Sequence, residues 1–179
     1  MFNKEFFEYF EIEIKKFHSL FKKNHLKGEL LEELIVNALI KSNVNCEWDC
    51  YSHNSKYDIK INDVEISIKS GKVNSKNKLK ISSFRTTKYK TLNDKIKFVN
   101  ENKSDIMFSC TFKDNEYSIY VFDTSILSLN NRTWDKINKN YKTINNLVDI
   151  GIYHSMSDQV WYDIHLDNLG IKPVWKIKI

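Results

Sequence analysis

Apolar residues along this chain switch from the period of a helix to the period of a strand near residue 56, and that switch restricts the folds open to it. From Phe2 to about Lys23, Phe6, Phe7, Phe10, Ile14, Phe17 and Phe21 recur at spacings of one, three and four, the pattern of an amphipathic helix. Gly28 then precedes a second helix, Glu29 to Ile40. It places Leu31, Leu34, Ile35, Ala38 and Leu39 on one side and acids in its first turn, where the helix dipole favours them. Period-two segments follow at Lys56–Ile61, Val64–Lys69, Lys78–Ser83, Ile106–Phe112, Tyr117–Phe122, Trp161–His165 and Val174–Ile179, interrupted by a capped helix from Thr91 to about Asn100. Helices followed by closely spaced strands predict an α+β or mixed-sheet α/β domain.

With one proline, four glycines, no internal repeat and no Gly/Ser-rich linker, a single domain over 1–179 is expected. Within it we distinguish an N-terminal helix (1–27), a core region (28–90) and the remaining sheet and helices (91–179). A net charge of +5 is compatible with a polyanionic partner but is also common among proteins that bind no nucleic acid. Nearly all of the positive charge is lysine, with arginine only at Arg85 and Arg132. No apolar run approaches the roughly 20 residues that span a bilayer, and Met1–Glu5 lacks a signal-peptide layout, so a cytoplasmic protein without membrane attachment is expected. Cys46, Cys50 and Cys110 are expected as thiols. Cys46, Cys50 and His53 suggest zinc by proximity but lack a fourth ligand of suitable spacing.

Chemistry concentrates between Tyr57 and Lys69. A hairpin turning at Asn62-Asp63 sets Ile61 opposite Val64, Lys60 opposite Glu65, Ile59 opposite Ile66, Asp58 opposite Ser67 and Lys56 opposite Lys69. One face is then apolar (Ile59, Ile61, Val64, Ile66, Ile68), and the other carries Asp58, Lys60, Glu65, Ser67 and Lys69. The plain account of the second face is a solvated one with Lys-Glu pairs.

A helix opening with Gly28-x-x-x-Glu32, a strand carrying Tyr57-Asp58 and a strand ending in Ser67-Ile68-Lys69 together resemble the PD-(D/E)XK nuclease superfamily over about Gly28 to Tyr89. The resemblance implies a restriction-endonuclease-like core, a central mixed sheet flanked by helices. It further implies Mg²⁺ held by Asp58, Glu32 and the Ile68 backbone carbonyl, with Lys69 as the catalytic lysine. Ser67 departs from the pattern, which has an acid there. A hydroxyl is a poor Mg²⁺ ligand beside a carboxylate, so the second acid is expected from Glu32, or else from Glu65, about 6.6 Å along the strand from Ser67. Glu29 and Glu33 read as solvated acids.

Downstream, Lys72, Ser82, Ser83, Arg85, Thr86, Thr87 and Lys88 form a basic, hydroxyl-rich stretch expected to contact DNA. Lysine supplies phosphate affinity, and arginine can pair bidentately with guanine. His154 lies near Ser155, Ser157 and Asp158, but nearness in sequence is not the geometry of a nucleophilic triad. No Gly-rich phosphate loop is present. The expectation is therefore a type II restriction endonuclease, a homodimer cutting double-stranded DNA at a short palindromic site, with a cognate DNA methyltransferase in the same system. A repair or junction-resolving nuclease, or a DNA-binding protein with a degenerate nuclease site, is the alternative.

Overall fold

The structure is a computed structural model that describes residues 1–21, 26, 28–48 and 56–179. Two helices come first, α1 (Lys4–Phe21) and α2 (Glu29–Lys41). Gly28 caps α2 at a positive φ of 53°, a conformation glycine adopts without steric cost, and its carbonyl accepts from the Leu31 and Glu32 N–H groups. Next come β1 (Glu47–Trp48), β2 (Ile59–Ile61), β3 (Val64–Val73) and β4 (Lys78–Arg85). Helix α3 (Leu92–Glu101) opens at Thr91, whose hydroxyl oxygen accepts from Asp94 N–H. Strands β5 (Ile106–Lys113) and β6 (Glu116–Asp123) flank Asp114 and Asn115, both at positive φ as a tight hairpin turn demands. The chain closes with β7 (Asp135–Ile137), β8 (Asn140–Thr143), β9 (Val148–Tyr153), β10 (Gln159–His165), the short α4 (Leu166–Leu169) and β11 (Trp175–Lys178). Helices and strands are thus interspersed in a mixed α/β chain. No helix among the described residues is long and apolar enough to cross a membrane.

Two compact units divide the chain. The first is Met1–Ser70, Ser104–Phe122 and Pro173–Ile179, and the second is Gly71–Lys103 and Asp123–Lys172. In the first, the strand order is β11-β6-β5-β3, with β2 beside β3 and β1 beside β2. Its core is aromatic on one side, where α1 buries Phe6, Phe10, Ile14 and Phe17. Phe6 and Phe10 stack at 5.6 Å between centroids, and Phe10 meets Phe108 edge-on at 6.2 Å. Ile59, Ile61, Ile66 and Ile68 of the hairpin join the same core.

In the second unit, the end of β3 pairs with β4, and the order continues β4-β10-β9-β8-β7. Alternation is strict on β10, where Val160, Tyr162 and Ile164 are buried and the intervening residues are not. Strands β1, β7, β8 and β9 and the short α4 lie outside the sequence expectation. In β7 the side chains are all exposed and carry no apolar alternation, and in β9 Gly151 interrupts an otherwise strand-like run. The expected strand from Lys56 is also shorter, beginning only at Ile59.

Lys95 on α3 is buried, and its Nζ lies 2.5 Å from Asp158 Oδ2; His154 Nδ1 lies 3.1 Å from the other oxygen. His154 and Asp158 therefore serve a structural ion pair, with no nucleophilic hydroxyl bonded to the imidazole among the described residues. Removing the cation from such a pair strands a buried carboxylate. Lys95→Met is expected to lower the stability of the protein by about 3 kcal/mol, read as a shift in the urea midpoint at constant slope.

Candidate active site

The β2–β3 hairpin holds the register expected from the sequence, Ile59 with Ile66, Lys60 with Glu65 and Ile61 with Val64. Asn62 takes φ 47° at the turn, a value asparagine tolerates better than most residues. Asp58 sits just ahead of β2 and is tied to β3 by its N–H, which donates to the Ile66 carbonyl at 2.9 Å. Register alone thus places the Asp58 side chain over Ser67, on the face away from the core.

Three donors converge on Asp58 Oδ2: Ser67 Oγ at 3.0 Å, the Ile68 backbone N–H at 2.5 Å and Lys69 Nζ at 2.9 Å. Charge-assisted bonds of this kind fix the carboxylate rotamer. Among the described residues no donor reaches Oδ1. Ser67 therefore acts as a donor that positions Asp58, and Ile68 contributes its N–H to the same oxygen.

Glu32 stands in the first turn of α2, half-buried, and its Oε2 accepts from the Trp48 indole N–H at 3.4 Å. Its carboxyl is pushed above the usual range by burial and then by the charge of Asp58, with the Trp48 bond and the Lys69 ammonium pulling the other way. The charges of Asp58 and Lys69 both act on Glu32, which puts the three in one electrostatic environment. Trp48 carries no signal in the sequence that would have picked it out. Glu65 is differently engaged. Its carboxylate lies 2.7 Å from Lys56 Nζ, and its backbone N–H donates to Asp105 Oδ2 at 2.9 Å. The expected opposition of Lys56 to Lys69 does not form: facing cations repel, and Lys56 finds Glu65 instead.

Asp58, Glu32, Glu65, Ser67, Ile68 and Lys69 belong to the first unit, and the residues expected to contact DNA belong to the second. Lys72 and Arg85 are exposed, and Arg85 has no hydrogen bond or ion pair among the described residues. Arg132 is used internally, donating to the Ser128 and Val148 carbonyls at 2.7 and 2.8 Å. Ser82 and Ser83 are half-buried on β4. Lys88 lies over the Tyr89 and Phe98 rings at 5.3 and 5.2 Å. Thr87 is exposed, with its hydroxyl donating to the Ser157 carbonyl at 2.7 Å. Thr86 departs from its expected place on a DNA-facing surface: it is fully buried, and its N–H and hydroxyl both donate to the Asp158 carbonyl. A hydroxyl committed to a buried carbonyl cannot reach a phosphate without breaking that bond.

Of the thiols, Cys110 is buried and pushed up to about 12 by that burial, which leaves it inert. Cys46 is half-buried, and Cys50 and His53 of the expected zinc cluster lie outside the described residues. Among the described residues no group of three or more His, Cys, Asp or Glu is gathered as a metal cage. No protein-family model matches the chain, and neither a curated protein nor a solved structure matches it at a significant level.

Proposed function

We propose that this protein is a Mg²⁺-dependent endodeoxyribonuclease of the type II restriction kind. In this proposal it is a cytoplasmic homodimer cutting double-stranded DNA at a short site, with a cognate DNA methyltransferase protecting the same site. The observation that carries the proposal is the set of donors gathered on one oxygen of Asp58 while Glu32 lies within its field. A restriction-endonuclease-like core in the first unit is part of it, supported by the Gly28-capped helix that delivers Glu32 and by the hairpin that delivers Asp58 and Lys69.

The donor set suits a Mg²⁺ ion, which typically takes one or two carboxylates and keeps its remaining positions for water and phosphate. Asp58 Oδ1 and Glu32 would hold it, with the Ile68 carbonyl as a further ligand. The charge of Asp58 adds to the cost of ionising Glu32, and a cation between the two carboxylates would relieve it. Such an ion supplies charge neutralisation at the scissile phosphate and a more acidic attacking water. The protein's own part is positional. Ser67 Oγ and Ile68 N–H lock Asp58, and Lys69 presents its remaining ammonium protons to the attacking water or to a phosphate oxygen, where negative charge develops. One centre per chain and two strands to cut favour a two-fold dimer on a symmetric site.

Incubation of purified protein with plasmid and Mg²⁺ tests this, with discrete bands expected. A smear would indicate a nuclease without site preference. The presence of Ser67 where an acid is expected, together with the Lys69 ammonium already on Asp58, favours a second reading, a DNA-binding protein with a degenerate site. Duplex binding without cleavage at any Mg²⁺ concentration would establish that one.

Arg85 is exposed and, among the described residues, makes no hydrogen bond or ion pair. If it reads guanine, Arg85→Ala is expected to weaken cognate binding by about 1–3 kcal/mol and non-cognate binding by less. A phosphate contact would instead weaken all sequences equally and flatten the salt dependence. Competition binding with cognate and scrambled duplexes separates the two, and unchanged affinity for both removes Arg85 from the interface.

A further inference from the structure

The sheet of the second unit has one face that is core and one that is not. Leu79, Ile81, Val160, Tyr162, Ile164, Val148, Ile150 and Ile152 are buried on the first. On the opposite face, cross-strand register aligns Ser82 of β4, Trp161 of β10, Gly151 of β9 and Lys142 of β8 in one row. The adjoining row is Lys72 of β3, Lys80 of β4, Asp163 of β10 and Asp149 of β9.

Two aromatic rings lie on this face, each with a lysine beside it. Lys80 Nζ is 5.2 Å from the centroid of the Trp161 ring, and Lys142 Nζ is 5.6 Å from that of Tyr153. Tyr153 lies along its own strand across Gly151. A Cβ at residue 151 would stand 2.6 Å from Tyr153 Cε2 and Cζ, so only glycine leaves room for the ring there. Both aromatic residues are half-exposed. Of the acids on the face, Asp149 is occupied by Lys78 at 2.8 Å and His165 at 3.0 Å, and Asp163 is opposed by Lys80 in register. Over the face as a whole Lys72, Lys78, Lys80 and Lys142 outnumber Asp149 and Asp163, while at Tyr153 itself burial and the charges of the two acids raise the phenol.

A solvated antiparallel face needs polar side chains, not large rings on adjacent strands. Lysines alone would suit duplex phosphates, whereas an aromatic face can stack only on bases released from pairing. We propose that this face is a stacking platform for single-stranded DNA, with Trp161 and Tyr153 receiving bases and Lys72, Lys80 and Lys142 following the phosphates. The choice of DNA over RNA rests on the nuclease proposal; the stacking chemistry does not.

Fluorescence anisotropy with a labelled oligothymidylate of about 20 nucleotides in EDTA tests the platform, and Trp161→Ala and Tyr153→Ala are each expected to weaken binding about tenfold or more. Trp161→Phe should retain most of the affinity, and Gly151→Ala should lose it by displacing the Tyr153 ring. Lys80→Ala and Lys142→Ala disturb packing least and are expected to reduce the salt slope by about one each. No oligothymidylate binding by the wild type overturns the platform, as do wild-type affinity in both aromatic variants and unchanged slopes in both lysine variants. Tighter binding of oligouridylate would assign the face to RNA, and dissociation of a dimer by Trp161→Ala in sedimentation would assign it to a second copy of the chain. Either result overturns the proposal. Plasmid cleavage measured in parallel keeps the two proposals apart. Cleavage without oligothymidylate binding sinks only the platform, and mutation-sensitive binding without cleavage supports the platform while sinking the nuclease.

Discussion

Asp58→Ala is expected to slow Mg²⁺-dependent plasmid cleavage by about a thousandfold or more, equivalent to about 4 kcal/mol of barrier, while duplex binding in Ca²⁺ is retained. The size follows from what one side chain does in the proposed site: Oδ1, which no donor reaches among the described residues, would hold the metal, and Oδ2 gathers Ser67, Ile68 and Lys69. Removing it loses the ligand and the order of the lysine together. Lys69 is partly solvated, so its ammonium can return to water and the fold should lose little stability. Cleavage by the variant at near the wild-type rate would show that Asp58 is not the ligand. Lys69→Ala should also cripple turnover and spare binding in Ca²⁺; a loss confined to binding would make Lys69 a phosphate clamp.

Glu32→Gln is expected to remove most Mg²⁺-dependent cleavage, whereas Glu65→Gln should leave most of it. The amide keeps the shape and the Trp48 bond but loses the charge that holds a cation. Glu65 is already committed to Lys56, so its loss falls on a local ion pair. A second readout distinguishes metal binding from damage to the fold. Because burial and the Asp58 charge raise the Glu32 carboxyl above its ordinary 4.5, folding favours the protonated form. The metal-free protein therefore loses stability from this group as pH rises from 4.5 through the raised value, and does not regain it above. Glu32→Gln should accordingly unfold at a higher urea concentration than the wild type at pH 7 without metal, and should gain less from added Mg²⁺. The opposite ranking of the two variants in a Mg²⁺ titration would move the acid to the strand, and full activity in both would leave Asp58 alone and sink the proposed site.

Much of the local structure could be read from spacing. The aromatic stripe of α1, the apolar side of α2 and the pairing of Ile59 with Ile66 follow from periods of 3.6 and 2, which neighbouring residues impose on one another. The same period set Asp58 above Ser67 and Lys69 on the face away from the core. Strand β9 was harder, because Gly151 depresses strand propensity where Tyr153 needs its missing side chain. Exposure was less legible still. Thr86 looks like its neighbours Thr87 and Lys88 in sequence, yet it is buried and bonded to a carbonyl far along the chain.

What the sequence by itself determined, then, is the order of α1, α2, β2, β3, β4, α3, β5, β6, β10 and β11, the hairpin register and the row of Asp58, Ser67 and Lys69, all products of contacts between near neighbours. Only the tertiary structure decided that Glu32 shares the field of Asp58 while Glu65 is taken by Lys56, that Arg132 is spent on carbonyls while Arg85 is exposed, and that Trp161 and Tyr153 lie on one face of the second unit's sheet. These depend on how a helix packs on its sheet and on which strands become neighbours. Such placements are selected by burial of the core as a whole, to which residues far apart in the chain contribute and which no local period encodes.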